Sequence, residues 1–262
     1  MLELNKIYNI DCIEGMKQID DKSIDMIFID PPYQVTHNVW DIIIPFDLMW
    51  EQFERIIKDN GAILIFGQDK FTAKCMLSNE KLHRYNIIWD KILTSGFLNA
   101  NKQPLRVHED IMVFYKQSCT YNPQMTVGEK CHSKGTAINK SSKELTNNNY
   151  GDYTIIETDG NLKHPKSIWS FQKPHPSTAI HPTQKPVDLC QYAIRTYTNR
   201  GDIVLDCCCG SGSIPLAAKI EGRNFIGMDN GMCEKPNTVY NGMYWADIAA
   251  QRISQHRNKK LF

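Results

Sequence analysis

The sequence carries almost no net charge: 30 Lys and Arg stand against 29 Asp and Glu, a formal balance of +1 at neutral pH. This excludes a polycationic tail or a solvating acidic chain, and any phosphate-binding surface has to come from local clustering. Long apolar runs are also missing. No stretch approaches the roughly 20 residues that span a bilayer. The start, Met1-Leu2-Glu3-Leu4-Asn5-Lys6, has no basic patch leading into an apolar segment, so neither membrane insertion nor export is expected. Cysteines are present but lack the spacing of a disulfide framework: there are nine, an odd number, scattered at positions such as Cys12, Cys75, Cys119, Cys190 and Cys233. A reducing cytoplasm is the expected compartment. The run Cys207-Cys208-Cys209 lacks the Cys-x-x-Cys spacing of structural zinc, so no metal is expected there and these thiols are read as small apolar residues.

What is present is an ordinary globular composition, 42% hydrophobic and 23% charged over 262 residues, enough for one substantial core with one insertion. Charge is unevenly placed. Acids such as Asp11, Glu14, Asp20, Asp21, Asp25 and Asp30 crowd the first sixty residues, whereas Lys163, Lys166, Lys173, Lys185, Arg195 and Arg200 meet few acids, a local basic face suited to DNA.

Ser23 to Ile29 reads as a buried strand that Asp30-Pro31-Pro32 ends abruptly. Asp47 to Lys58 reads as an amphipathic helix, Asp59-Asn60-Gly61 as its stop, and Ala62 to Phe66 as the next strand. Tyr85 to Trp89 and Ile111 to Tyr115 are further strands, pairing at one edge of the sheet. From Lys116 to Ser177 the chain turns polar and loses periodicity, the texture of an insertion. Order returns with a helix from Pro186 to Tyr197, strand Ile203 to Leu205, helix Ser213 to Glu221, strand Phe225 to Met228 and a last helix from Tyr244 to His256. These alternations give an α/β fold.

Two constellations carry chemistry. In Asp206-Cys207-Cys208-Cys209-Gly210-Ser211-Gly212-Ser213 a strand passes to a helix through two glycines, and Asp229 follows at the end of the next strand, where a carboxylate accepts ribose hydroxyls. This is the form of an adenosine-binding unit. Pro215 stands where a dinucleotide fingerprint needs its third glycine, which disfavours a pyrophosphate cofactor. The second constellation is Asp30-Pro31-Pro32-Tyr33 at a strand end. An exocyclic amine of adenine or cytosine is a weak nucleophile, and the Asp30 carboxylate with the Pro31 carbonyl can accept its two protons and aim its lone pair. The prolines fix the acceptors, and Tyr33 offers a ring for the base to stack on. Each constellation alone also fits a plain turn.

Together these residues resemble the beta group of DNA amino-methyltransferases, in which the Asp-Pro-Pro-Tyr precedes the cofactor-binding turn. The resemblance also takes in Asn9-Ile10-Asp11-Cys12, Arg106-Val107-His108-Glu109-Asp110 and His181-Pro182-Thr183-Gln184-Lys185-Pro186. It implies a Rossmann-like, mixed but mostly parallel seven-stranded sheet with helices on both faces. The catalytic domain would be 1–116 and 179–262, and an inserted target-recognition region 117–178. It implies S-adenosylmethionine as cofactor, with Asp11 and Cys12 near its adenine and Thr183, Gln184 and Lys185 at its methionine end. Asp206, Cys208, Gly210, Ser211 and Gly212 would line the cleft, and Asp229 would hold the ribose. Cys208 replaces the usual aromatic of that turn, and Asp229 the usual Glu. Double-stranded DNA is the expected partner, with the target base flipped out of the helix, together with a cognate restriction endonuclease and a homodimer. Asp30 rather than Ser at the head of the tetrapeptide favours adenine N6 over cytosine N4. Cytosine methylation, and a DNA-binding relative without catalysis, are the alternatives. Asn230 to Gly242 matches nothing in the family.

Overall fold

The computed structural model describes residues 2–34, 42–128, 144–147, 151–154, 161–175, 177–236 and 238–256. Much of the expected recognition region lies outside the described residues. In chain order the elements are β1 (Lys6–Tyr8), α1 (Cys12–Met16), β2 (Ile24–Ile29), α2 (Phe46–Ile56), β3 (Ile57–Gly67), α3 (Asp69–Ser78), β4 (His83–Ser95) and β5 (Arg106–Phe114). Short strands follow: β6 (Thr126–Val127), β7 (Glu144–Asn147), β8 (Gly151–Thr154), β9 (Leu162–Lys163) and β10 (Ile168–Ser170). The chain then forms α4 (Val187–Tyr197), β11 (Ile203–Asp206), α5 (Ser213–Ile220), β12 (Asn224–Met228) and α6 (Trp245–Gln255).

One sheet of eight strands runs β1-β12-β11-β2-β3-β5-β4-β10. Only β5 is antiparallel to its neighbours; every other pairing is parallel. The sheet thus has one strand more than the resemblance implied. The extra one, β10, adds parallel to β4 through Trp169 opposite Trp89, and it comes from the stretch read as featureless. Two compact units result, one of residues 1–122 and 167–262 and a smaller one of 123–166. In the smaller unit β6 pairs with β9 and β7 with β8, both antiparallel. The residues 167–178 therefore go with the large unit rather than the insertion, because β10 is hydrogen-bonded into the large sheet.

The central strands are apolar on both faces, as helices covering both sides require. In β2, Met26 and Phe28 enter one core with Leu64, Phe66 and Val113 under α4 and α5. Ile27 and Ile29 alternate into the other with Ile63, Ile65 and Phe114 under α2 and α3. The exception in β2 is Asp25. Its carboxylate accepts from Lys58 Nζ at 2.6 Å and from the Ile203 backbone N–H at 2.9 Å, tying the bottoms of β2, β3 and β11 together.

Asp59-Asn60-Gly61 does not stop a helix. α2 ends at Ile56, the chain goes directly extended, and the register with β2 shifts between Ile24–Ile57 and Met26–Ala62. The turn-prone residues form a bulge inside β3, held by Lys22 on the Asp59 carboxylate (2.9 Å) and by the Gln117 and Thr120 N–H groups on the Asp59 and Asn60 carbonyls. Among the described residues no helix is long and apolar enough to cross a membrane.

Strand order reverses between β11 and β2: the chain leaves β11 toward β12 on one side and β2 toward β3 on the other. Carboxyl ends of strands at such a switch point form a crevice where ligands of open α/β sheets bind.

Candidate active site

A cleft of about 920 Å³ opens at that crevice. Asp11, Cys12, Asp30, Pro31, Pro32, Tyr33, Thr183, Gln184, Lys185, Asp206, Cys208, Gly210, Ser211 and Asp229 all line it, so the two sequence constellations share one cavity. Gly212 is not among its walls. Gly212 has φ +77° and starts α5, and a Cβ there would lie 2.9 Å from the Ala249 Cβ. Its lack of a side chain serves the packing of the turn against α6.

At the end of the cleft formed by the Gly-rich turn, Asp229 is the organiser. One carboxylate oxygen accepts the Gly210 N–H and the other the Gly231 N–H, both at 2.8 Å, joining the turn after β11 to the segment after β12. Burial raises its pKa above the usual carboxylate value, while the two backbone N–H groups work in the opposite direction. Asp206, fully buried, accepts from the Cys208 N–H at 3.2 Å, and burial pushes its pKa well up. Asp11 caps α1, accepting from the Ile13 and Glu14 N–H groups at 2.9 and 3.2 Å. The Cys12 thiol is hydrogen-bonded with that of Cys208, which raises its pKa. Gln184 accepts from the Ile180 N–H (3.0 Å) and Ser211 Oγ (3.4 Å), bracing the loop before α4 against the Gly-rich turn.

The segment from Asn230 to Gly242 contributes Asn230, Gly231 and Lys235 to the cleft lining and is tied to its surroundings. Met232 bridges to Tyr244, and Cys233, Trp245 and Ile248 form a small core with Ile180, Tyr240 and Met243. Lys235 donates to the Ala179 carbonyl at 3.1 Å. His181 packs edge-on to Trp245 at 4.3 Å, and burial pushes its pKa down to about 4. The segment therefore holds the stretch Ala179–His181 that leads into Thr183 and Gln184.

This end fits an adenosine-type ligand. Trp245 Nε1 is buried with no hydrogen-bond partner among the described residues, on a cleft-lining residue whose ring contacts the Gly231 turn. A buried donor without an acceptor costs about 1–3 kcal/mol, which a ligand oxygen would relieve. Asp229 keeps lone pairs beyond the two it uses, as a ribose diol requires.

At the other end Asp30 is already engaged. Tyr33 Oη donates to one oxygen and Lys185 Nζ to the other, each at 2.6 Å. Lys185, which lines the same cleft as Thr183 and Gln184, thus faces the Asp30–Tyr33 tetrapeptide. It reaches across to Glu109 at 3.3 Å, which in turn pairs with Lys91 at 3.2 Å, and its ammonium lies 4.8 Å from the Phe66 ring centre. The Tyr33 ring packs on Phe71 at 4.8 Å. Burial raises the Asp30 pKa and outweighs the attraction of Lys185. Burial opposes the charge on Lys185, yet Asp30 and Glu109 prevail and hold its pKa above the ordinary lysine value. The Glu109 pKa is lowered for the mirror reason: burial opposes its charge, and Lys185 and Lys91 overcome it. Sequence reasoning missed Glu109 and Lys91 as site residues. The available signal was a charged residue beside the apolar part of each of two strands, Glu109 two positions before Ile111 and Lys91 two after Trp89.

The family model described as DNA methylase, covering N6 and N4 methyltransferases, matches residues 24–235. The Type II methyltransferase M1.MboII of Moraxella bovis is 31% identical over 249 residues, 87% of this chain and 93% of its own length. The DNA adenine methyltransferase YhdJ of Escherichia coli is 27% identical, covering 87% of this chain and 79% of its own. Among solved structures, the M1.HpyAVI–SAM complex superposes with TM-score 0.60 at 21% identity over 95% of this chain and 98% of that one. PvuII DNA methyltransferase, cytosine-N4-specific, gives 0.63 at 15% identity over 97% and 86%. With the tetrapeptide and the Gly-rich turn facing one cleft and the family model spanning most of the sequence, this chain belongs to the N6/N4 DNA methylase family.

Proposed function

We propose that the protein transfers a methyl group from S-adenosylmethionine to the exocyclic N6 amine of adenine in double-stranded DNA. The observation that carries the reading is the shared cleft: Asp30 at one end, Asp229 and the Gly210–Ser211 turn at the other. When bound, the cofactor supplies an electrophilic methyl group on a positively charged sulfur. Asp229 and Trp245 Nε1 hold the ribose, and Asp11, the cap of α1, borders the adenine. Thr183 and Gln184 face the methionine end. A base stacked in duplex cannot enter the cleft, so the target is flipped out, at an unstacking cost of a few kcal/mol. The smaller unit, 123–166, is the duplex-reading element, and a cognate restriction endonuclease is the expected companion.

Asp30 and the Pro31 carbonyl accept the two amine protons, and the Tyr33 ring supports the base. As the amine nitrogen takes the methyl group that the bound cofactor would supply, with the neutral thioether as leaving group, Asp30 would accept the proton the nitrogen sheds. Its raised pKa makes Asp30 a better proton acceptor than an exposed aspartate.

Both amines of the family suit these acceptors: the YhdJ relative is named for adenine and the PvuII structure for cytosine N4. Asp30 at the head of the tetrapeptide supports adenine. DNA from cells expressing the protein, hydrolysed to nucleosides and examined by mass spectrometry, is expected to contain N6-methyladenine. N4-methylcytosine alone would transfer the chemistry to the other base and leave the mechanism standing.

A further inference from the structure

The buried charges around Asp30 are balanced, two acids against two bases: Asp30 and Glu109, Lys185 and Lys91. Lys185 is 7% and Lys91 6% exposed at the side chain, and Glu109 14%. Lys185 is shared unequally. Its hydrogen bond goes to Asp30 at 2.6 Å, while Glu109 Oε2, 3.3 Å away, is buried and makes no hydrogen bond. Lys91 reaches only the other Glu109 oxygen, Oε1. A buried carboxylate oxygen without a donor is costly, and it sits within an ångström of hydrogen-bond contact with the ammonium.

This unequal sharing matters once an amine approaches. A base amine bound to Asp30 gains positive charge as its new bond forms. An ammonium on the same carboxylate then opposes that charge, and little water is present to screen the two. We infer that Glu109 is a positioning residue: its open Oε2 receives Lys185 when the target amine docks, releasing Asp30 to the reacting nitrogen. The hand-over needs a side-chain movement of well under a bond length and leaves the four charges balanced throughout. Lys91 fixes Glu109 from the far side, so that Oε2 stays turned toward Lys185. The proposal rests on the methyl-transfer reading of the site and assigns a role that the tetrapeptide itself does not contain.

The test is a set of variants assayed for transfer of labelled methyl from S-adenosylmethionine to unmethylated genomic DNA. In Glu109→Gln the ammonium has no second carboxylate and remains on Asp30. The turnover number is expected to fall about tenfold or more, with cofactor affinity unchanged. The acid limb of its pH profile should move to lower pH, because the Glu109 charge that raises the Asp30 pKa is gone. The double variant Glu109→Gln/Lys185→Gln, which removes both the ammonium and its second acceptor, should recover most of that loss. Near-normal turnover in Glu109→Gln, or a double variant no faster than the single one, would overturn the hand-over. Thermal melting of each variant separates lost folding from lost turnover. If the unaltered protein itself moves no methyl to DNA, the methyl-transfer reading fails; if it does and Glu109→Gln keeps pace with it, only the hand-over fails.

Discussion

Asp30→Asn is expected to lower the turnover number on the order of 10²- to 10³-fold, the usual cost of removing a preorganised charge from the reacting atom. The asparagine keeps the shape and one acceptor oxygen but neither the charge nor the capacity to take the amine proton. Lys185 keeps Glu109 as a partner at 3.3 Å, so the variant does not strand a buried ammonium. Binding of S-adenosylmethionine, measured by calorimetry, should stay within about twofold of the unaltered protein, since Asp229 and the Gly-rich turn are untouched and only effects above about 0.4 kcal/mol would register. Turnover within a few-fold of normal would remove Asp30 from the reaction.

Asp229→Ala should produce the opposite profile. It deletes the acceptor of two charge-assisted hydrogen bonds, to Gly210 and Gly231, each at 2.8 Å. Such bonds contribute about 1.5–3 kcal/mol each. Part of that loss appears as disorder in the two turns and part as missing ribose contact. A rise of roughly 100-fold in the cofactor dissociation constant is expected, with turnover recovering at saturating cofactor. Unchanged affinity would show that Asp229 only braces the turns.

The parts of this fold legible in the sequence are those where one local signal decides the conformation. The run Ile24 to Ile29 is apolar on both faces and is cut by two prolines. The passage from β11 through Gly210 and Gly212 to α5 and on to Asp229 puts glycine where φ is positive, +48° and +77°. Elsewhere distant partners decide. Asp59-Asn60-Gly61 has the composition of a turn, yet pairing of Ile57 and Ala62 with β2 on either side and hydrogen bonds from Lys22, Gln117 and Thr120 keep it as a bulge within the strand. Strand β10 is three residues long inside a polar stretch, too short for any periodicity, and it is anchored by burial of Trp169. The site divides the same way. Asp30, Gly210 and Asp229 were visible as motif residues, whereas Glu109 stands next to Asp110 and Lys91 next to Asp90, so charge alone does not single either out. Lys185 was visible, but its partner Asp30 lies 155 residues earlier in the chain.

The β2–β11 pairing has a consequence for the enzyme as an assembly. The wall that bears Asp30 comes from the first half of the chain and the wall that bears Asp229 from the second. They meet along a short ladder, Val204 with Met26 and Leu205 with Ile27, locked by Asp25 on the Ile203 N–H, and the halves pair again at β1 with β12 and β4 with β10. The covalent link between the halves passes through 123–166, outside the large unit. The active centre is in effect an interface within one polypeptide. The peptide bonds joining its sides set their local concentration and not their geometry, so a chain nicked within 123–166 would still have every group of the cleft in register, as a complemented pair of fragments.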